Sequence, residues 1–242
     1  ILISQVSLAT EVPAFKSTYG VEKLGMTLGT ATIDFKPGPE KTYEYHFYTR
    51  ASGIARWFVS DEINEVSSGK LNAEGIKPDR YFYKKTGGKT KTVEMLFDWP
   101  KKTATVSGTY GKTTQSLDEG GLDRLVVQLA VMRDMGTKKL PISYRILDKL
   151  KVKNYTFITD GEETLSTPIG KIRTVIIRRA NEGGGRVTRM WVAPELHHLP
   201  IRIRQDKDGD REFEMNLKSL KGIDTSALPK QEPPALDDDE II

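Results

Sequence analysis

Apolar and polar residues alternate over most of the chain, the period of a sheet with one buried face. In Thr30-Ala31-Thr32-Ile33-Asp34-Phe35-Lys36, the residues Ala31, Ile33 and Phe35 share one face and the polar residues share the other. Pro37-Gly38-Pro39 reads as a turn. From Thr42 to Arg50, Tyr43, Tyr45, Phe47 and Thr49 alternate with Glu44, His46 and Tyr48. Ala55 to Ser60, with Trp57 and Phe58, reads as a third strand. Ser67-Ser68-Gly69 and Lys77-Pro78 are expected to bracket a connecting segment. Tyr81-Phe82-Tyr83 then leads through Gly87-Gly88 into Lys91 to Trp99, where Val93, Met95, Phe97 and Trp99 line one face. Gly-Gly between two such runs predicts a hairpin, and Thr103 to Ser107 adds a short strand.

The period changes once. From Leu122 to Met135, Leu122, Leu125, Val126, Leu129 and Met132 fall at helical spacing, which predicts a helix. Ser116 and Glu119 are placed as its capping box, and Gly136 as its C′ terminator. Alternation then resumes. Ser143 to Lys149 and Asn154 to Thr159 are expected to pair, and Thr167-Pro168-Ile169-Gly170 turns into Lys171 to Arg179. Asn181 to Gly185 turns into Arg186 to Ala193. Leu199, Ile201 and Ile203 face the run of Phe213, Met215 and Leu217 across an Asp-Gly turn at Asp206 to Asp210. Consecutive hairpins of this kind make a meander. The pattern predicts one β domain over residues 1–228. Pro233-Pro234 and Asp237-Asp238-Asp239-Glu240 mark residues 229–242 as a disordered acidic tail.

Composition narrows the function classes. The chain of 242 residues carries 37 Lys and Arg against 33 Asp and Glu, so its net charge of +4 implies no strong basic field. The basic residues recur along most strands rather than clustering between exposed aromatics, which argues against nucleic-acid binding. No apolar run approaches the roughly 20 residues that cross a bilayer. The longest, Leu122 to Met132, is interrupted by Asp123, Arg124 and Gln128, so the chain is expected to be soluble and peripheral to a membrane at most. There is no cysteine, which excludes disulfides, thiol nucleophiles and cysteine metal sites. The chain starts at Ile1 without Met, and a cleaved signal peptide would fit that start.

Motifs for chemistry are weak. Gly111-Lys112-Thr113 has the end of a phosphate-binding loop, but Val106 stands where that loop needs a glycine, so a polar turn is expected. Glu195, His197 and His198 carry metal-ligand types. Adjacent residues of an extended segment point oppositely, however, and a surface turn is the better reading. No serine sits in a nucleophile-elbow context. Asp34, Asp98 and Asp123 are candidate paired carboxylates for a hydrolase, because such a pairing is spatial rather than sequential. No metal, cofactor or catalytic residue is assigned. The aromatics Tyr45, Phe47, Tyr81, Tyr83, Phe97, Trp99 and Trp191 lie on alternating strands. They form either an ordinary core or the wall of an apolar groove on the concave side of a curved sheet. Arg189, Arg202 and Arg204 near its edge are placed to hold a lipid head group or an acidic partner.

Several segments in order carry a resemblance. Leu28-Gly29, Ser67-Ser68-Gly69 through Pro78 and Tyr81, Phe97-Asp98-Trp99, and Gly121-Leu122-Asp123 with Arg133 are its first half. Leu165-Ser166-Thr167-Pro168-Ile169-Gly170 and Trp191-Val192-Ala193 through Leu199-Pro200-Ile201-Arg202 are its second. Together they resemble the bacterial domain of unknown function 3108 family, from Tyr19 to Leu220. That resemblance implies export to the periplasm of a Gram-negative bacterium and no established enzymatic activity. The Trp191 to Arg202 hairpin is also similar to strands of lipoprotein carriers of the LolA and LolB type. Those carriers fold as a strongly bent sheet closed by helices around an apolar cavity.

The expected architecture is therefore mainly β, a strongly curved antiparallel sheet or half-open barrel with one central helix. The expected function is non-catalytic: a periplasmic cell-envelope protein binding a lipid, a lipoprotein or an envelope protein partner on the concave face. Tyr45, Phe47, Tyr81, Trp99, Arg133, Arg189, Trp191 and Arg202 are the expected ligand-binding residues. An envelope hydrolase acting on glycan or peptidoglycan, and a protein-interaction module using sheet edges, remain the alternatives.

Overall fold

A computed structural model describes residues 12–23, 25–52, 61–72, 74–117, 120–180 and 183–229. The expected strand at Ala55 to Ser60, the capping residue Glu119 and the acidic tail beyond Pro229 lie outside the described residues. In chain order the elements are β1 (Phe15–Lys23), β2 (Met26–Pro37), β3 (Thr42–Ala51), β4 (Glu62–Asn72), β5 (Gly75–Thr86), β6 (Lys91–Asp98), β7 (Thr103–Gly108) and β8 (Gly111–Ser116). They continue with β9 (Leu122–Asp123), α1 (Val127–Met135), β10 (Ile142–Asp148), β11 (Lys151–Thr167), β12 (Gly170–Ala180), β13 (Arg186–Ala193), β14 (Leu199–Lys207) and β15 (Asp210–Lys221).

All fifteen strands join one sheet in the order β8-β7-β6-β5-β4-β3-β2-β1-β15-β14-β13-β12-β11-β10-β9. The chain walks outward from β1 to one edge, crosses to the other edge at β9, and walks back until β15 pairs with β1. Neighbours are antiparallel except β9 and β10, which meet in a two-residue parallel bridge at Leu122 and Asp123. The sheet is curved but not closed by backbone pairing. Side chains span the seam instead: Gln115 Nε2 donates to the Leu150 carbonyl (3.1 Å), and Arg145 Nη1 to the Ser116 carbonyl (2.8 Å).

The alternation read from sequence is the alternation of burial. Ala31, Ile33 and Phe35 of β2 and Tyr43 and Tyr45 of β3 face inward, where Phe15, Phe35 and Tyr45 meet with ring centroids 5.8–6.4 Å apart. Tyr19 donates to the Pro200 carbonyl at 2.8 Å and so ties β1 to β14 across the interior. Helix α1 fills the rest. Leu129, Ala130 and Met132 belong to the larger apolar cluster, and Val127 and Val131 to a second one with Ile146, Phe157, Ile177, Met190 and Val192. A helix buried on both flanks acts as the plug of the curved sheet.

Five local expectations are corrected. The helix begins at Val127 rather than Leu122, because Leu122 pairs with Ile146 and the Asp123 carboxylate takes the Leu125 and Val126 N–H groups. Ser116 is no cap but the last residue of β8. Gly136 stays right-handed (φ −71°) instead of adopting the left-handed terminating conformation. The segment bracketed by Ser67-Ser68-Gly69 and Lys77-Pro78 is not a long connection: β4 and β5 run through it to Asn72 and from Gly75, paired across a bulge between Ser68 and Gly69. There a Cβ on residue 69 would stand 2.2 Å from the Lys77 carbonyl, so only glycine allows the close approach. Gly111-Lys112-Thr113, expected as a turn, opens the edge strand β8.

Candidate functional site

Two buried carboxylates organise the mouth of the interior. Glu65 projects from β4 beside Tyr81 of β5. It accepts a hydrogen bond from the Tyr81 hydroxyl (2.6 Å) and one from Arg124 Nε (3.0 Å), and Arg124 Nη2 pairs with its other oxygen. Burial pulls the Arg124 pKa down, but Glu65 and Tyr81 outweigh it and hold the guanidinium firmly charged. Its face also lies 4.9 Å from the centre of the Tyr83 ring. Asp123, one residue earlier, accepts from Ser67 (2.6 Å) and from the backbone N–H groups of Leu125 (2.9 Å) and Val126 (3.0 Å). It thereby anchors the entry to α1 against β4.

Burial raises the Asp123 pKa to about 6, while Ser67, Val126 and Leu125 oppose the rise and Glu65 adds to it. The folded protein therefore holds this proton more tightly than the unfolded chain. The site's contribution to stability is complete below about pH 4 and falls as pH rises through 6. Asp123→Asn keeps the carbonyl acceptor and removes the titration. In urea melts from pH 4 to 7, wild type should lose about 2–3 kcal/mol relative to this variant as pH rises. A pH-independent difference between the two proteins would refute the assignment.

Beside this network lies a cleft of about 300 Å³, lined by Phe47 and Glu65 on one wall, Arg124, Leu125, Val127 and Gln128 on its floor, and Tyr155, Phe157, Arg179, Thr188 and Met190 on the other wall. Phe47 and Glu65 are register partners on β3 and β4, and Phe157 and Arg179 on β11 and β12. These strand sets are far apart in the sheet, and only its curvature brings them to one opening. The lining is apolar in Phe47, Leu125, Val127, Phe157 and Met190. Polar donors stand among them. Arg179 lies 4.2 Å from the Tyr155 ring centre, and Gln128 Nε2 is buried with no hydrogen-bond partner among the described residues. Burial lowers the Arg179 pKa, with Tyr155 and Asp148 opposing.

The residues singled out from sequence are dispersed. Phe47 lines the cleft, and Tyr81 reaches it through Glu65 and Arg124. Tyr45 is packed in the aromatic cluster with Phe15 and Phe35. Trp99 stacks on Phe97 (6.1 Å) and donates to the Pro78 carbonyl (2.7 Å). Arg189 pairs with Asp160 (2.7 Å) and Asp206 (3.0 Å), and Arg204 with Asp206 (2.6 Å). Arg202 sits 5.3 Å over Trp191, whose indole N–H donates to Glu163 (2.6 Å). Arg133 lies at the other end of α1, against a second cavity.

Of the hydrolase candidates, Asp34 pairs with Lys36 (3.6 Å) and Asp98 with Lys101 (2.7 Å), and neither lines the cleft. His197 and His198 both have left-handed backbones (φ 53° and 56°), and the His198 N–H closes a turn on the Ala193 carbonyl. Arg124, Gln128, Tyr155 and Arg179 are missed by sequence reading. The available signals were Tyr155 and Phe157 sharing a face, and Arg124 beside a helix start.

A family model described as "Protein of unknown function (DUF3108)" matches residues 14–217. No curated protein matches the chain. Among solved structures, a β-barrel-like protein of domain of unknown function DUF1849 from Brucella abortus aligns over 89% of this chain and 99% of its own, with a TM-score of 0.57 and 10% identity. MucB aligns over 93% of this chain and 59% of its own, with a TM-score of 0.37 and 12% identity. The first shares the fold.

Proposed function

The chain belongs to the DUF3108 family, and from that premise we propose that it is a non-catalytic periplasmic protein of the cell envelope that holds an amphipathic ligand in the Phe47–Arg179 cleft. One observation carries this reading: an apolar wall is combined with polar groups that are donors. Phe47, Leu125, Val127, Phe157 and Met190 suit an alkyl or aromatic segment, and Arg179 and the unpartnered Gln128 amide suit an acidic end. The volume is at the lower limit of ligand pockets, which favours one short chain or ring over a whole two-chain lipid. Glu65, the carboxylate on the wall, is occupied by Arg124 and Tyr81, which is why a binding role is preferred to a hydrolytic one.

Native mass spectrometry of protein from its own host, before and after organic extraction, should show a lipid-sized adduct that extraction removes. A medium-chain fluorescent fatty acid should bind saturably. Met190→Trp, which fills the cleft, and Arg179→Gln, which removes the cationic end, should each weaken it about tenfold or more. Absence of both adduct and saturable binding would sink the proposal.

A further inference from the structure

The second cavity, about 210 Å³, lies at the opposite end of α1 from the cleft and is lined by residues of β5, the turn into β9, α1 and β10. Its character is different: the side chains that reach it are chiefly Arg133, Asp134, Lys138, Tyr144 and Arg145. Asp134 is the hub, a buried carboxylate whose Oδ2 accepts from Lys138 Nζ (2.8 Å) and the Tyr144 hydroxyl (3.2 Å). Its Oδ1 lies 3.3 Å from Arg133 Nε as an ion pair without hydrogen-bond geometry, and has no hydrogen-bond partner among the described residues. Burial and the Asp134 charge keep the Tyr144 hydroxyl protonated, so it is a donor.

The cations are in excess at this hub. Arg133 and Lys138 share the one carboxylate of Asp134, while Glu74 at the rim is taken by Lys77 (3.1 Å). The Arg133 side chain is only 12% exposed, its ion pair with Asp134 runs through Nε, and its Nη groups are not among the buried atoms without a partner, so they face the cavity opening. Those groups are the fork of a guanidinium, the geometry that matches a phosphate or carboxylate by two parallel bonds. One of them, Nη1, faces the backbone of Gly75, where no side chain closes off the space. A guanidinium held beside one carboxylate through Nε, mostly shielded by the cavity wall and with its Nη fork turned to the opening, is arranged for an incoming oxyanion.

We infer that this cavity is a binding site for a phosphoryl group, bound by the Arg133 fork with Lys138 as its second cation. Nothing here depends on the Phe47–Arg179 cleft or on what fills it. The volume admits a phosphate with a small attached body, so the phosphoryl group can be free inorganic phosphate or the head group of a phospholipid.

Isothermal titration with inorganic phosphate at low ionic strength, and flotation with vesicles of phosphatidic acid against vesicles of phosphatidylcholine, separate these two sources. Saturable one-to-one phosphate binding identifies the free ion. Flotation with phosphatidic acid alone, without phosphate binding, identifies the lipid head group. In either arm Arg133→Gln should weaken binding at least tenfold and Lys138→Gln severalfold, while Lys77→Gln at the rim leaves it unchanged. Lys138 is half exposed, so its variant should fold and decides the matter if Arg133→Gln does not. Wild-type protein that binds neither probe, or a folded Lys138→Gln variant that binds as wild type does, overturns the site.

Discussion

Replacing Glu65 by alanine should lower the unfolding free energy by about 3–5 kcal/mol in urea melts at neutral pH, because breaking a buried ion pair strands its partner. Arg124 Nη2 and the Tyr81 hydroxyl lose their acceptor together, and Arg124 Nε is left with the Tyr81 hydroxyl alone (3.0 Å). Arg124 retains some contact with water, its side chain being 35% exposed, which places the loss toward the lower end of that range. The penalty belongs to the unpaired charge and not to the net worth of the pair. Glu65→Leu combined with Arg124→Met should therefore recover the part owed to the stranded guanidinium, about 1–3 kcal/mol, while the Tyr81 hydroxyl still lacks its acceptor. A single variant within 1 kcal/mol of wild type would mean that water already solvates the pair. A double variant no better than the single would mean that the bonds themselves, rather than the stranded charge, hold β4 to the helix entry.

Leu129→Ala should cost about 3–5 kcal/mol, the range for deleting a fully buried leucine side chain from a core that cannot collapse. Leu129 has no exposed surface and sits on the flank of α1 that faces the larger cluster, among strands of both wings of the sheet. Val131 faces the other cluster, so Val131→Ala should cost less, about 1–2 kcal/mol for its fewer methyl groups. The double variant measures how far the two flanks are coupled, since Leu122, Tyr144 and Ile203 pack against both clusters. Chemical denaturation followed by tryptophan fluorescence measures all three. A Leu129→Ala loss below 1 kcal/mol would show that the sheet closes over the gap and that α1 is not its plug.

Much of the fold was legible because a strand's side chains have a period of two and a half-buried sheet writes that period into the sequence. The runs at Ala31 to Phe35, Val93 to Phe97 and Met215 to Leu217 face the core as the alternation requires. Errors gathered where a competing interaction outweighed the local signal. Leu122 has helical spacing, yet it bridges to Ile146, and the side chain of Asp123 satisfies N–H groups that a longer helix would have used. Ser67-Ser68-Gly69 has the composition of a loop, yet Ser67 faces inward and donates to Asp123, and Gly69 is there for close backbone approach. Strand β1 carries too little alternation around Thr18, Tyr19 and Gly20 to announce itself, and it is held by pairing on both edges, to β2 and to β15.

The candidate sites were legible only in part, and for a different reason. Aromatic residues on alternating strands were read as a groove wall, but Tyr45 and Trp99 pack against other rings while Phe47 alone of the eight singled-out residues lines the cleft. The arginines of the C-terminal meander stand out in the sequence, yet Arg189, Arg202 and Arg204 each have carboxylate neighbours one strand or two residues away. What distinguishes Arg124 and Arg133 is burial with a particular partner, and neither property has a sequence period.

The sequence by itself therefore determined the class of the fold: a meander of inward-facing aromatics and aliphatics, interrupted by one helix. Periodicity is a local property, and side chains two or four residues apart suffice to express it. The tertiary structure decided how far the sheet curls, that α1 fills its interior, and that Phe47 and Glu65 meet Phe157 and Arg179 across an opening. Those outcomes depend on strands six or more positions apart in one sheet, joined by packing rather than by neighbouring sequence.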